Sequence, residues 1–190
     1  MLAKKVSKLV ERLGIKNPMK FAFFSIIGFC LIALDARGRE DLCQPRLESK
    51  IVRGVSMKGV YNNGAEIKVD SRFYTCHEVK RHDVVVIKKD LRAGQMIKMV
   101  HVLPGDRFEL VEKKGYYGLL VNGMILKTPL GIDYKFFGKS YKMIRLYEKS
   151  FEKLMPVNTY FVFGTNHLGS KDSSSFGPIT SNMIAGKVVP

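Results

Sequence analysis

The sequence predicts a mainly β fold, an antiparallel β-barrel or sandwich, that follows an N-terminal transmembrane helix. Two observations carry this prediction: an uncharged stretch lies close to the N-terminus, and several short apolar runs separated by turn residues follow residue 50. The chain has 190 residues, of which 46% are hydrophobic, enough for one domain with its own core. We therefore divide it into a basic segment at 1–20, a membrane anchor at 21–36 and an exported β-rich domain at 37–190.

The anchor is predicted from charge and hydropathy. Residues 1–20 carry six basic side chains and one acidic side chain, whereas residues 21–34 (FAFFSIIGFCLIAL) carry no charge. This asymmetry favours a single-pass helix whose N-terminus stays in the cytoplasm. Fourteen helical residues reach only about 21 Å of the roughly 30 Å hydrocarbon layer, so we expect Met19 and Ala36 to extend the span and Lys20 to snorkel.

Two alternatives remain for this stretch. A cleaved secretory signal has an apolar core of similar length, but the following segment ALDARGRE (33–40) lacks a small-x-small cleavage motif. A buried core helix is the other alternative, and the neighbouring basic arm disfavours it. We expect an uncleaved anchor.

The exported part is predicted to consist of short strands. They share β-branched or alternating apolar residues and fall at 83–87, 96–103, 107–111, 118–126, 159–164 and 183–189. Pro104-Gly105 separates two of them, and Asn122-Gly123 lies between two apolar runs, the strongest hairpin signal in the chain. Residues 139–155 are compatible with a helix. Short strands with few helical periods favour an antiparallel barrel or sandwich.

The formal net charge of +15 would suit a nucleic acid or an anionic membrane surface. The basic residues are scattered, however, and no nucleic-acid motif with an aromatic platform occurs. We therefore expect a lipid bilayer as partner, with much of the charge solvated near its head groups, and no nucleic acid.

Metal and disulfide chemistry are weakly indicated. Cys43 and Cys76 both fall in the predicted exported part, where a disulfide is permitted and free thiols are equally compatible with the sequence. No cysteine pair has a CxxC spacing, and the histidines lack metal-ligand spacing. His101 alternates with valines and is expected either to face solvent or to be hydrogen-bonded inside the barrel.

Three segments carry a candidate catalytic pattern: GVSMKG (54–59), MIKMVHVLPGD (96–106) and GTNHLGSKDSSSFGP (164–178). Taken singly, Ser56 is a loop hydroxyl, Lys98 a solvated strand residue and the last segment a polar loop. In this order, and with a lysine six residues before Pro-Gly-Asp, the three together resemble the type I signal peptidase family. That family consists of membrane-bound serine proteases that use a Ser/Lys dyad.

The resemblance implies a role for four residues. Ser56 would be the nucleophile and Lys98 its general base, with Ser170 orienting the lysine and Asp172 supporting the loop. A serine hydroxyl needs an adjacent base, and a lysine with an ordinary pKa near 10.4 is a base at neutral pH only when apolar surroundings depress that value. The backbone N–H of Ser56 would hold the oxyanion.

The resemblance also implies a substrate class and a location. Val55 and Met57 would contact preproteins that carry small residues at the first and third positions before the cut. The 37–190 peptidase domain would lie on the exported side of the bacterial inner membrane, and no cofactor or metal would be needed.

Several positions depart from the family pattern. Gly59 stands where proline is usual, Thr165 where aspartate is usual, and His167 and Ser174 where arginines are usual. These changes affect loop-supporting ion pairs more than the dyad and suggest a divergent branch. The stretches SMKGVY (56–61) and FGPI (176–179) resemble the conjugative-transfer peptidases, which process pilin or transfer proteins. A membrane-anchored binding barrel without catalytic activity is the alternative from another class. A self-cleaving repressor would share the Ser/Lys chemistry but would need a soluble DNA-binding domain at the N-terminus.

Overall fold

Two antiparallel sheets dominate the described chain. The computed structural model describes residues 43–88, 94–166 and 168–190, so the predicted basic segment and anchor lie outside the described residues. Within these ranges no helix has both the length and the hydropathy needed to cross a bilayer. Cys43 and Cys76 are both disulfide-bonded.

The larger sheet has seven strands in the order β1-β2-β10-β3-β4-β8-β9, and the smaller has the order β5-β6-β7. The strands are β1 Leu47–Ile51, β2 Glu66–Asp70, β3 Val84–Lys88, β4 Gln95–Val102, β5 Phe108–Lys113, β6 Tyr116–Val121, β7 Met124–Ile125, β8 Thr159–Phe163, β9 Ile179–Thr180 and β10 Ile184–Val189. The helices are α1 Phe73–Cys76, α2 Gly138–Ser150 and α3 Ser173–Phe176, with a 3-10 turn at Ser181–Met183. Every strand pair is antiparallel, which confirms the mainly β, antiparallel prediction.

The predicted hairpin forms where the sequence indicated. Asn122 and Gly123 link β6 to β7 with φ values of 50° and 82°, the left-handed geometry of a two-residue hairpin turn. The helix with which residues 139–155 are compatible is α2, which begins one residue earlier, at Gly138. Strands β1 and β2 were not predicted, and β1 lies at the edge of the large sheet with four of its five side chains exposed.

Strand β4 lies inside the large sheet, between β3 and β8. Lys98 is opposite Val85, and Val100 is opposite Val162. A bulge follows, because Val102 pairs with Phe161 and leaves His101 as the extra residue. With a neighbouring strand on each side, β4 is buried from Lys98 onward. Lys98 thus lies within a hydrophobic sheet.

Candidate active site

The loop between β1 and β2 presents Ser56. Its ends are joined by hydrogen bonds between Val52 and Ala65 (N–O 2.9 Å) and between Gly64 and Val52 (N–O 2.8 Å). Gly54 has a φ of 93°, which favours glycine, and its N–H donates to Asn63 Oδ1 at 2.8 Å. Ser56 therefore lies in a loop whose backbone is held at both ends. In the described part of the chain, Ser56 N–H donates to no acceptor, which leaves it available to an oxyanion.

The structure brings Ser56 and Lys98 together. The Nζ of Lys98 lies 3.2 Å from the Oγ of Ser56 and donates to the carbonyl of its own neighbour Ile97 at 2.8 Å. Lys98 is only 2% exposed. When the amine is neutral, its lone pair can accept the Ser56 proton across the same contact, which is the geometry that nucleophile activation needs.

Burial lowers the pKa of Lys98, and the negative charge of Asp172 opposes this effect in part. Desolvation disfavours the ammonium form, so the apolar strand favours the neutral amine.

We therefore expect kcat/KM for peptide-bond cleavage to rise with pH. The general base that the sequence predicts at Lys98 would act as the neutral amine, so activity should increase as pH rises through its depressed pKa and then level off. Measuring kcat/KM from about pH 5 to about pH 10 checks this expectation. In Asp172→Asn, which lacks the charge that raises the pKa of Lys98, the acidic limb should move to lower pH. A rate that falls or stays constant as pH rises would contradict Lys98 as the base.

The glycine-rich segment after β8 packs against the Ser56 loop. The N–H of Asn166 donates to the Ser56 carbonyl at 3.0 Å, and the Thr165 hydroxyl donates to the Lys58 carbonyl at 2.8 Å. A Cβ added at Gly164 would lie 2.5 Å from the Ser56 carbonyl oxygen and even closer to Ser170 Oγ. Glycine is therefore the only residue that fits there, and Thr165 links the two segments through a hydroxyl rather than an ion pair.

Ser170 and Asp172 lie beside this contact. The Oγ of Ser170 is buried and makes no hydrogen bond with the described residues, so the predicted orienting bond to Lys98 is not formed here. Asp172 accepts hydrogen bonds from Gly164 N–H (3.0 Å), from Ser174 N–H (3.0 Å) and from the Ser174 hydroxyl (2.8 Å). This placement suits the loop-supporting role expected of Asp172.

The two predicted substrate-contacting residues have different environments. Met57 is 1% exposed and lines a cavity of about 210 Å³, whereas Val55 is 54% exposed and does not line it. Ser56 and Lys98 open into the same cavity, whose other walls include Val86 and other apolar side chains. Polar side chains, among them Arg53 and Gln95, complete the wall of this cavity.

Two further residues near the site were missed as functional candidates. Tyr134 donates a hydrogen bond to the Gly164 carbonyl at 3.1 Å, and its hydroxyl lies 3.0 Å from Nε2 of His101. His101 is fully buried, so the expectation of a hydrogen-bonded interior histidine holds for its Nε2. Tyr134 lies far from the three segments in sequence and has no local signal that links it to them. Among the described residues, no cluster of three or more His, Cys, Asp or Glu side chains offers a metal site.

Comparisons with known proteins agree with the resemblance seen in the sequence. The family model described as "Signal peptidase, peptidase S26" matches residues 24–190. Signal peptidase I of Bacillus caldolyticus is 30% identical over 141 residues, covering 73% of this chain and 75% of that protein. Signal peptidase I V of Bacillus subtilis is 29% identical over 141 residues, covering 72% and 80%.

The crystal structure of a signal peptidase I from Enterococcus faecalis aligns with a TM-score of 0.44 and 20% identity, covering 60% of this chain and 98% of that one. The match of the family model to most of the chain identifies the protein: it belongs to the signal peptidase family and is a signal peptidase I-like serine protease.

Proposed function

We propose that this protease is a membrane-anchored endopeptidase that removes signal peptides from exported preproteins, with Ser56 as nucleophile and Lys98 as general base. The observation that carries the proposal is the 3.2 Å contact between Lys98 Nζ and Ser56 Oγ in a buried site. Family membership supplies the reaction class, and this contact supplies a nucleophile with a base next to it.

The reaction proceeds in two halves. Neutral Lys98 takes the proton of Ser56 as Oγ attacks the scissile carbonyl, and the Ser56 N–H stabilises the negative oxygen of the tetrahedral intermediate. The Lys98 ammonium then gives its proton to the leaving amine, the C–N bond breaks and an acyl-enzyme remains. Lys98 next deprotonates a water that attacks this ester, and the signal peptide leaves with a new carboxyl group while Ser56 regains its proton.

Exposed apolar side chains near Ser56 support the proposal that the enzyme acts at a bilayer surface. Val55 and Val60 are exposed on the Ser56 loop, and Leu130 is exposed close to Gly59 of that loop. An apolar patch beside a site that must meet membrane-bound preproteins favours contact with lipid. Met57 belongs to the core and not to this patch.

Family membership predicts the substrate preference. We expect cleavage of a detergent-solubilised preprotein with an Ala-x-Ala site. Because small residues are implied at the first and third positions before the cut, we expect phenylalanine at the position before the cut to lower kcat/KM by about a hundredfold or more. Cleavage is followed by electrophoresis and mass spectrometry of the new terminus. Phenylalanine placed several residues after the cut is the matched control and should have little effect.

A dedicated substrate is the second candidate, favoured by the departures at Gly59, Thr165 and Ser174. If the wild type leaves general preproteins intact but cleaves a pilin-like precursor, the enzyme is a dedicated processing peptidase. If it cleaves neither and Ser56→Ala behaves identically in every binding assay, the chain is an inactive binding barrel.

A further inference from the structure

Gly164 is held by hydrogen bonds at both its N–H and its carbonyl. Its N–H donates to Asp172, and its carbonyl accepts from the hydroxyl of Tyr134 at 3.1 Å. Its Cα lies against the Ser56 carbonyl so closely that no side chain would fit. Gly164 is therefore fixed through the peptide groups on both sides of its Cα, and it lies directly against the backbone of the nucleophile loop.

The Tyr134 hydroxyl has a fixed role in this arrangement. Tyr134 is buried, and desolvation together with the charge of Asp172 raises the pKa of its phenol. The phenol thus keeps its proton and donates a hydrogen bond to the Gly164 carbonyl. Its oxygen can then accept from His101 Nε2 at 3.0 Å, which requires His101 to carry its proton on Nε2.

His101 is suited to that donor role. Burial is the main cause that lowers the pKa of His101 to about 3, with the neighbouring His82 and Arg81 contributing, so the ring is neutral under ordinary conditions. With the proton on Nε2, the buried Nδ1 is an acceptor that makes no hydrogen bond in the described part of the chain. His101 is also the extra residue of the bulge that follows Lys98 by three positions, so the dyad strand itself carries the histidine.

We infer that Tyr134 is a positioning residue for the dyad: its hydroxyl, oriented by His101, holds the Gly164 peptide against Ser56 and so keeps Ser56 Oγ at the Nζ of Lys98. This inference rests on the proposed function for its kinetic consequence, but its structural consequence is independent of activity. The hydrogen-bond chain runs from His101 to Tyr134 to Gly164, and Gly164 contacts Ser56.

Tyr134→Phe removes the one hydroxyl and keeps the ring. The buried Gly164 carbonyl then lacks its donor and is expected to move or to admit water, which displaces Ser56 and hydrates Lys98. We expect kcat to fall about tenfold to a hundredfold with KM within about twofold, and the acidic limb of the pH profile to move to higher pH as the pKa of Lys98 returns toward its ordinary value.

Tyr74→Phe is the matched control. This substitution also removes a hydroxyl that donates to a buried acceptor, Asp83 Oδ2 at 2.9 Å, and the acceptor is not Gly164. The kcat and the pH profile of Tyr74→Phe should match those of the wild type.

A second pair of variants tests the His101 end of the hydrogen-bond chain. His101→Gln keeps an N–H donor and should retain most of the activity, whereas His101→Leu should shift the pH profile in the same direction as Tyr134→Phe.

The decisive measurement is the titration of Lys98 by NMR of protein labelled with ¹³C at the lysine ε-carbon, with the signal assigned by its absence in Lys98→Met. The inference predicts a higher pKa for Lys98 in Tyr134→Phe than in the wild type and an unchanged one in Tyr74→Phe. Equal titration in all three proteins, or an equal shift in both tyrosine variants, would overturn it. Because this readout needs no substrate, an inactive wild type would count against the proposed function and leave the test of Tyr134 intact.

Discussion

Ser56→Ala and Lys98→Met are each expected to lower kcat for preprotein cleavage by at least about a thousandfold. Without Oγ there is no nucleophile. The Lys98 amine lies 3.2 Å from Oγ, and without it no base in the described part of the chain is within hydrogen-bonding distance to take the Ser56 proton. Because the two residues act as one unit, the double variant should be no slower than either single variant. The measurement is single-turnover cleavage of an Ala-x-Ala preprotein, and wild-type rates in either variant would remove that residue from the mechanism.

Lys98→Met provides its own control for folding, because it should be more stable than the wild type. Between the depressed pKa of folded Lys98 and the ordinary value near 10.4, the unfolded chain binds a proton that the folded chain lacks. The free energy of unfolding therefore rises with pH across this window, and below it the buried amine remains unfavourable. Methionine carries no such proton.

We accordingly expect Lys98→Met to raise the free energy of unfolding at neutral pH by about 1 kcal/mol, or Tm by about 2–4 °C. Ser56→Ala should keep the wild-type pH dependence of stability because it keeps the buried amine, and Lys113→Met, at an exposed position, should change little. A less stable Lys98→Met would mean that loss of activity reports unfolding rather than chemistry.

Local signals were sufficient for much of the fold. The hairpin at Asn122-Gly123 was predictable because both residues tolerate the left-handed conformation that the turn imposes. Strand β4 was predictable from its β-branched residues and the Pro-Gly turn after it. Strand β1 (LESKI) was missed because its side chains are mostly exposed at a sheet edge, which removes the alternation that identifies a strand.

The site divides in the same way. The pairing of Ser56 with Lys98 was expected from an ordered set of segments, and the fold places the two side chains in contact. The expected hydrogen bond between Ser170 and Lys98 is not formed. Such a bond depends on the rotamers of both side chains, and the spacing of residues along the sequence does not specify rotamers. The contact made by Tyr134 was not predictable, because no local pattern links this residue to the segments that carry His101 and Gly164. For His101 the sequence left two positions open, and the fold selects the hydrogen-bonded interior one.

Asp172→Ala is expected to lower both stability and activity substantially. The carboxylate is buried and accepts three hydrogen bonds, two of them from Ser174 and one from the N–H of Gly164. Removing it leaves the buried Gly164 N–H without an acceptor, so we expect the free energy of unfolding to fall by about 3 kcal/mol and kcat to fall by about a hundredfold as the peptide beside Ser56 relaxes. Urea unfolding and single-turnover cleavage measure the two effects separately.

Asp70→Ala separates a loss of support at the site from a general loss of stability. Asp70 is similarly buried and accepts from the N–H groups of Arg46 and Arg72 at 3.0 and 2.9 Å, away from Gly164. Asp70→Ala should lower the free energy of unfolding about as much as Asp172→Ala does, while the folded fraction of Asp70→Ala cleaves at the wild-type rate. If Asp70→Ala loses as much kcat as Asp172→Ala, the effect at Asp172 reflects the stability of the whole domain. If only Asp172→Ala loses kcat, the Asp172 carboxylate acts on catalysis through Gly164, which it holds against the nucleophile loop.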